Sequence, residues 1–336
     1  MLSESFCRHV LRRQSWSPTR SGWGSTRGPH WGATTATFSD ESTPHSQRGR
    51  LVPISWWPAD FSASRIRRLH SAVRRSRGHR VASDQPFLQH ARVAVAFLTR
   101  VPVRHGEEIA MGRVARWFPV VGAGVGVLSA AVLAASREIL SNQVSAVLAV
   151  ITGVLVTGGF HHDGLADSAD GLVGGWSPEQ RRQILKDSRH GTYGVLALVL
   201  QIILQVSVLA DLDTRKAVCA VVLMHCLGRA AAVSVMHAGN GITEGLGANY
   251  VAGVRKLDMS IALGLGVVFG FVVAGWQGLV PFVVALVVAR LGVTYAVKRI
   301  GGIVGDVLGG VEQISESAVL LSVMAIVGIG GDFGWS

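Results

Sequence analysis

The chain has 336 residues, 49% hydrophobic and 16% charged, with 41 glycines and a formal net charge of +11. Soluble domains carry about 25% charged residues, so this balance excludes a disordered chain, argues against two ordinary soluble domains, and points to a membrane. Three cysteines exclude a disulfide scaffold and a cysteine-rich zinc module. Cys219 and Cys226 lie roughly 10 Å apart along a helix, too far for a bridge.

The basicity belongs to the first quarter of the chain. Residues 1–90 hold 14 Lys+Arg against 5 Asp+Glu, and residues 91–336 hold 18 against 16. A nucleic-acid partner would have to rest on that first segment alone, and none is expected. Residues 1–87 are rich in Ser, Arg, Gly, Trp and Thr and carry no sustained period of 3.6 or 2. They read as a disordered basic segment. An organellar transit peptide, a basic arm for nucleic acid or anionic lipid, and a start codon assigned too far upstream are the three readings. The abrupt change in composition near Val81 favours the last. No apolar h-region follows the first Arg cluster, so the segment is not a secretory signal.

Beyond it, charges are spaced for a membrane, which needs about 20 mostly apolar residues per crossing. Trp117–Ser136 and Ile139–His162 contain no Asp, Glu, Lys or Arg. His190–Ala210 follows, apolar from Gly194, and Ala217–Ala238 is apolar apart from His225, Arg229 and, at its end, His237. Met259–Ala289 is uncharged and too long for one span, and Gln277, Gly278 and Pro281 offer a turn that splits it into about 259–276 and 279–297. Ser317–Gly331 is a short candidate seventh span. The fold class is therefore all-α, a polytopic membrane bundle of six or seven transmembrane helices, since open sheets cannot cross lipid.

Thirteen Lys and Arg residues flank the spans on one side, among them Arg92, Arg116, Arg181, Arg182, Arg255 and Lys298, and three (Arg137, Arg215, Lys216) on the other. The positive-inside rule then places the loops at 161–193, 239–258 and 298–316 in the cytoplasm.

Those loops hold most of the remaining polar signal. In GGFHHDGLADSADGLVGG, residues 158–175, Asp163, Asp167 and Asp170 recur at i, i+4 and i+7. On a helix they fall within roughly 60° of one another. Three carboxylates on one stripe read either as ligands of a hard cation such as Mg²⁺ or Mn²⁺ or as a solvated acidic helix end. His161 and His162 point about 100° apart, so at most one faces that stripe. In ILKDSRHGTYG, residues 184–194, Lys186 and Arg189 share a helix face, and Asp187 is a further candidate ligand. The two cations read as a phosphate-binding pair or as positive-inside anchors. In KRIGGIVGDVLGGVEQISE, residues 298–316, Asp306 sits among five glycines, with Gly305 beside it and Glu312 and Glu316 one turn apart. Gly there allows close backbone approach to a ligand; the alternative is a flexible loop. Arg229 and Arg290 lie inside spans, where a cation is costly and functional or paired. His225 reads as a polar helix–helix contact rather than a ligand.

Together these residues suggest metal-assisted phosphoryl chemistry on a membrane-associated substrate. The catalytic candidates are Asp163, Asp167, Asp170, Lys186, Asp187 and Arg189, the first three as metal ligands. The substrate-binding candidates are His161, Gly164, Arg229, Arg290, Gly305 and Asp306. No GxxxxGK[ST], dinucleotide fingerprint in context or GxSxG is present.

The segments GGFHHDGLADSADGL, KDSRHGTYG and GGIVGDVLGG, with AFLTRVPV at 96–103 and FPVVGAGVG at 118–126, resemble the cobalamin synthase (adenosylcobinamide-GDP ribazoletransferase) family. The resemblance covers about residues 88–330 and marks 88–336 as the membrane-embedded transferase domain. It implies a Mg²⁺-dependent enzyme of the bacterial inner membrane with its active site facing the cytoplasm. Such an enzyme joins adenosylcobinamide-GDP to α-ribazole or its 5′-phosphate and releases GMP. The implied partners are those two small molecules and membrane lipid, with self-association left open. His190 departs from the branched aliphatic frequent in the family. A CDP-alcohol phosphotransferase needs an AR pair soon after its DG, whereas LADSAD follows Asp163-Gly164. An ion-coupled transporter would place carboxylates near mid-membrane and show an internal repeat.

Overall fold

The computed structural model describes residues 87–103, 111–187, 189–236, 253–330 and 333. The expectations for residues 1–86 and for most of the 239–258 loop fall outside them. Every element among the described residues is helical. Two short helices, α1 (Phe87–Leu98) and α2 (Met111–Ala115), precede α3 (Phe118–Arg137). Then come α4 (Asn142–Thr157), α5 (Phe160–Gly174), α6 (Pro178–Ile184), α7 (Thr192–Asp211), α8 (Thr214–Val235), α9 (Lys256–Ala274), α10 (Leu279–Ile300) and α11 (Gly305–Gly328).

Among the described residues, five helical segments are long and apolar enough to cross a membrane, and six with the bent pair α4–α5. One of them, Lys256–Ile300, has 45 residues. A straight helix of that length would measure about 68 Å, twice the hydrocarbon thickness. A 3₁₀ turn at Gly275–Gly278 instead folds it into a hairpin. A Cβ at Gly278 would lie 2.1 Å from the Gly270 carbonyl oxygen, and one at Gly266 would lie 3.0 Å from the Phe282 ring. Counting α9 and α10 separately gives the six or seven spans expected, with the turn where Gln277, Gly278 and Pro281 placed it.

Helix α8 is the axis of the bundle. It is mostly buried, covered by α3, α9, α10 and α11, while α7 faces outward. Helix α3 approaches it through Gly122 and Gly126, where a Cβ would lie 2.1 Å from the His225 carbonyl oxygen and 2.7 Å from Val222 Cα respectively. This is the small-xxx-small solution to helix contact in lipid, where close backbone packing replaces hydrophobic driving force.

Two expectations are corrected. Residues 139–162 are not one span: the chain breaks at Gly158 and Gly159, with φ of +70° and +69°, and α5 leaves α4 at 92°. Two successive left-handed residues cannot continue an α-helix. Residues 298–316 are not a loop either. Four residues separate α10 from α11, and α11 runs 24 residues from Gly305. Counting apolar residues alone starts this span at Ser317, because Glu312, Gln313 and Glu316 are polar, yet all three are buried and partnered inside the bundle.

The ends of the helices sort into two sets. Arg116 pairs with Asp258 at 2.7 Å, Arg182 donates to the Ile300 carbonyl at 2.8 Å, and Gly164 touches Asp306. At the opposite end Arg137 donates to the carbonyls of Leu209 and Leu212, at 2.6 and 3.0 Å. The charge-rich termini thus share one face of the bundle.

Candidate active site

Helix α5 follows the Gly158-Gly159 break, and its first turn carries Asp163. The expected stripe forms, but its three carboxylates sit in different surroundings. The Asp163 side chain is 67% exposed, that of Asp167 is 18% exposed, and Asp170 is buried. Asp170 accepts the backbone N–H of Gly191 at 2.7 Å and of Gly194 at 2.9 Å. It therefore caps the N-terminus of α7 from a neighbouring helix, where Gly191 has no side chain to do so and a negative charge complements the helix dipole. The spacing of Gly191 and Gly194 is explained by the same contact. A Cβ on either would lie 2.6 or 2.4 Å from an Asp170 carboxylate oxygen.

Asp167 lies near enough to Asp163, Asp306 and Asp170 for the four carboxylates to repel, and His190 is a cation-capable group beside them. The His190 ring stands 3.6 Å from Asp167 through Nδ1 and 4.0 Å from Asp163 through Nε2. Asp306, in the first turn of α11, reaches this group because α5 crosses α11 on glycine. A Cβ at Gly164 would sit 2.8 Å from the Asp306 carbonyl oxygen. Among the described residues no three His, Cys, Asp or Glu side chains stand in a geometry that closes a metal site unaided. Hard oxygen donors on an open face match Mg²⁺, which keeps several waters and binds through one or two carboxylates plus substrate phosphates.

The loop after α6 holds the other catalytic candidates. Arg189 forms a two-pronged pair with Asp187, with Nη2 at 2.7 Å and Nε at 3.0 Å from its oxygens. The guanidinium and the Arg189 amide pull the Asp187 carboxyl down to about 2. Asp187 is thus engaged by Arg189 rather than joined to the α5 stripe. Lys186 is exposed on the same loop.

Arg229 and His161 point elsewhere. Arg229 is buried and pairs with Glu312 and Glu316, and His161 reaches Glu312 at 3.4 Å. His225 bonds Glu316 at 2.6 Å, as a helix–helix contact. His162 faces a small enclosed space lined by Thr157, Gln205, His225 and Glu316. Arg290 is exposed on the outer face of α10, and Gly305 is exposed at the start of α11. Neither Gln201 nor Gln205 was singled out by the sequence reading. Gln201 donates to the Gln313 carbonyl at 2.8 Å, and Gln205 donates to Glu316. Their signal was present as two polar residues at i and i+4 in an otherwise apolar run.

The sequence profile of cobalamin-5-phosphate synthase matches residues 90–325, a range that contains every residue of this site. The chain belongs to that family. Among curated relatives, the adenosylcobinamide-GDP ribazoletransferase of Shewanella pealeana is 38% identical over 244 residues, covering 70% of this chain and 94% of the relative. That of Shewanella halifaxensis is 39% identical over 249 residues, covering 70% and 95%. That of Shewanella piezotolerans is 36% identical over 244 residues, covering 70% and 94%. No solved structure matches the chain. Family membership makes it a multi-pass membrane transferase of cobalamin synthesis.

Proposed function

We propose that the chain is an adenosylcobinamide-GDP ribazoletransferase, acting on the cytoplasmic face of a bacterial inner membrane with Mg²⁺. The observation that carries this reading is the convergence of Asp163 and Asp167 from α5 with Asp306 from α11 at the charge-rich face of the bundle. One or two of Asp163, Asp167 and Asp306 would hold the cation, with water and substrate phosphate oxygens completing its shell. Mg²⁺ held there would supply charge neutralisation on the pyrophosphate.

The reaction itself needs no protein nucleophile. The hydroxyl oxygen of α-ribazole, or of its 5′-phosphate, forms a bond to the cobinamide-side phosphorus, and the bond from that phosphorus to the oxygen of GMP breaks. The hydroxyl proton would pass to a carboxylate of the α5 stripe acting as general base. Lys186 and Arg189 lie on the loop beside the stripe, where cationic side chains offset the phosphate charge of departing GMP. Asp170 acts indirectly, by holding the Gly191–Gly194 turn that carries this loop into α7.

The test is to incubate membranes holding the chain with Mg²⁺, adenosylcobinamide-GDP and α-ribazole and to measure GMP and cobalamin together. Equimolar appearance of both is expected, and substrate consumption without GMP release overturns the reading. The ion-coupled transporter retains one supporting observation: Glu316 and His225 pair near the middle of α11 and α8. Release of GMP separates the two.

A further inference from the structure

Below the carboxylate face lies a buried polar cluster for which the transfer reaction has no direct use. Arg229 of α8 meets Glu312 at 2.5 Å and also pairs with Glu316, which in turn bonds His225 at 2.6 Å. His161 of α5 joins the cluster through Nδ1, which accepts from Arg229 at 3.5 Å and stands 3.4 Å from a Glu312 oxygen. All five side chains are buried. Desolvation cancels much of the attraction in such pairs, so a buried ion network is a poor source of net stability. Its best-attested use is to fix the register of packed elements.

The contact between α5 and α11 needs such a device. It is built on Gly164, Gly309 and Gly310, and a Cβ at Gly310 would lie 3.1 Å from Ser168 Cβ. Glycine lets two backbones approach closely, but it presents no ridge to lock into a groove. Apolar packing alone therefore resists sliding of one helix along the other weakly. The polar contact bridges this interface directly. His161 sits two residues before Asp163, and Glu312 sits six residues after Asp306. Any slip between His161 and Glu312 changes the separation of Asp163 and Asp167 from Asp306.

We infer that His161, Glu312 and Arg229 are positioning residues, whose contact sets the register of α5 on α11 and so holds Asp163 and Asp167 at their working distance from Asp306. His161 and Arg229 then act through the carboxylates and do not touch substrate. This inference rests on the carboxylate reading above, so its test includes a readout that needs neither metal nor substrate.

Ser168→Cys and Gly310→Cys, introduced together with Cys7, Cys219 and Cys226 changed to Ala, report register as the yield of the α5–α11 disulfide under mild oxidation. His161→Leu is the main variant and His161→Gln, which keeps an acceptor for Arg229, is the rescue. Arg229→Met with Glu312→Gln removes one charge of each sign and serves as the second variant, since Arg229→Met alone strands two carboxylates. The expected result for His161→Leu is a several-fold lower cross-linking yield, with kcat down about tenfold to a hundredfold, as a shift near 1 Å produces. Half-saturation by Mg²⁺ should rise while the KM for adenosylcobinamide-GDP stays within about twofold, and His161→Gln should recover most of the loss. The double variant should follow His161→Leu. Unchanged cross-linking overturns the proposal, as does a rise in KM alone, which would make His161 a substrate contact. Reduced cross-linking with wild-type kcat and Mg²⁺ dependence upholds the register and overturns the carboxylate reading instead.

Discussion

Three aspartates at i, i+4 and i+7 look equivalent in the sequence and are not equivalent in the protein. Asp163 and Asp167 face the open carboxylate group, whereas Asp170 has both oxygens committed to the amides of Gly191 and Gly194. Replacing Asp163 or Asp167 by Asn should cut GMP release by about two to three orders of magnitude, the size of a lost charge contact of several kcal/mol. Raised Mg²⁺ should restore part of the rate at one of the two, as a titration of rate against Mg²⁺ would show. Asp170→Asn should instead lower thermal stability in detergent by about 1 kcal/mol, the scale of a helix cap, and raised Mg²⁺ should not reverse it. Asp187 allows a pH test. Its carboxyl is held at about 2 by Arg189, below the unfolded value of about 3.9. The pairing is therefore complete at neutral pH and is lost as pH falls from about 4 through 2. The side-chain carboxyl ¹³C shift of Asp187 should titrate near 2, and Arg189→Ala should return it to about 3.9.

At the scale of elements, glycine decides how closely helices meet. Gly122 and Gly124 are two residues apart on α3, yet a Cβ on the first meets the His225 backbone at 2.1 Å and a Cβ on the second meets nothing within 4 Å. Gly122→Ala should destabilise by about 1–3 kcal/mol or more, because backbone cannot yield as a side chain can. Gly124→Ala should be neutral or stabilising by up to about 1 kcal/mol, since alanine is the better helix former. Thermal melts of the two variants in the same detergent check this, and equal losses would contradict the α3–α8 packing. The Gly158-Gly159 break belongs to this scale as well. It turns a run that hydropathy reads as one crossing into a membrane helix followed by the helix that carries the site.

At the scale of the molecule, one face of the bundle collects the charges. Arg116–Asp258, Arg182–Ile300 and the carboxylate group lie there, and Arg137 binds Leu209 and Leu212 at the other end. Single cysteines at Gln183 and Ile139, both exposed, probe the two ends. In intact cells a membrane-impermeant maleimide should label Ile139→Cys from outside, and Gln183→Cys only after permeabilisation. The reverse pattern would invert the orientation proposed from the thirteen-to-three charge bias. The family match begins at residue 90. A chain begun after residue 80 should accordingly insert and release GMP at the full-length rate, with activity per inserted protein as the measure.

Composition and spacing by themselves determined the helical class, the approximate spans and the helical stripe of aspartates. These are local properties: a window of about 20 residues contains the free energy of crossing lipid, and seven residues contain a helical face. The partners of the polar groups were not legible. Arg229 and His161 read as substrate-binding until Glu312 and Glu316, more than 80 residues away in sequence for Arg229, came beside them. Asp170 read as a metal ligand until the α7 N-terminus was placed against it, and α11 read as half loop because its buried polar residues resemble exposed ones in a hydropathy count. Burial of a polar residue depends on what packs across from it, and only the tertiary structure supplies that neighbour.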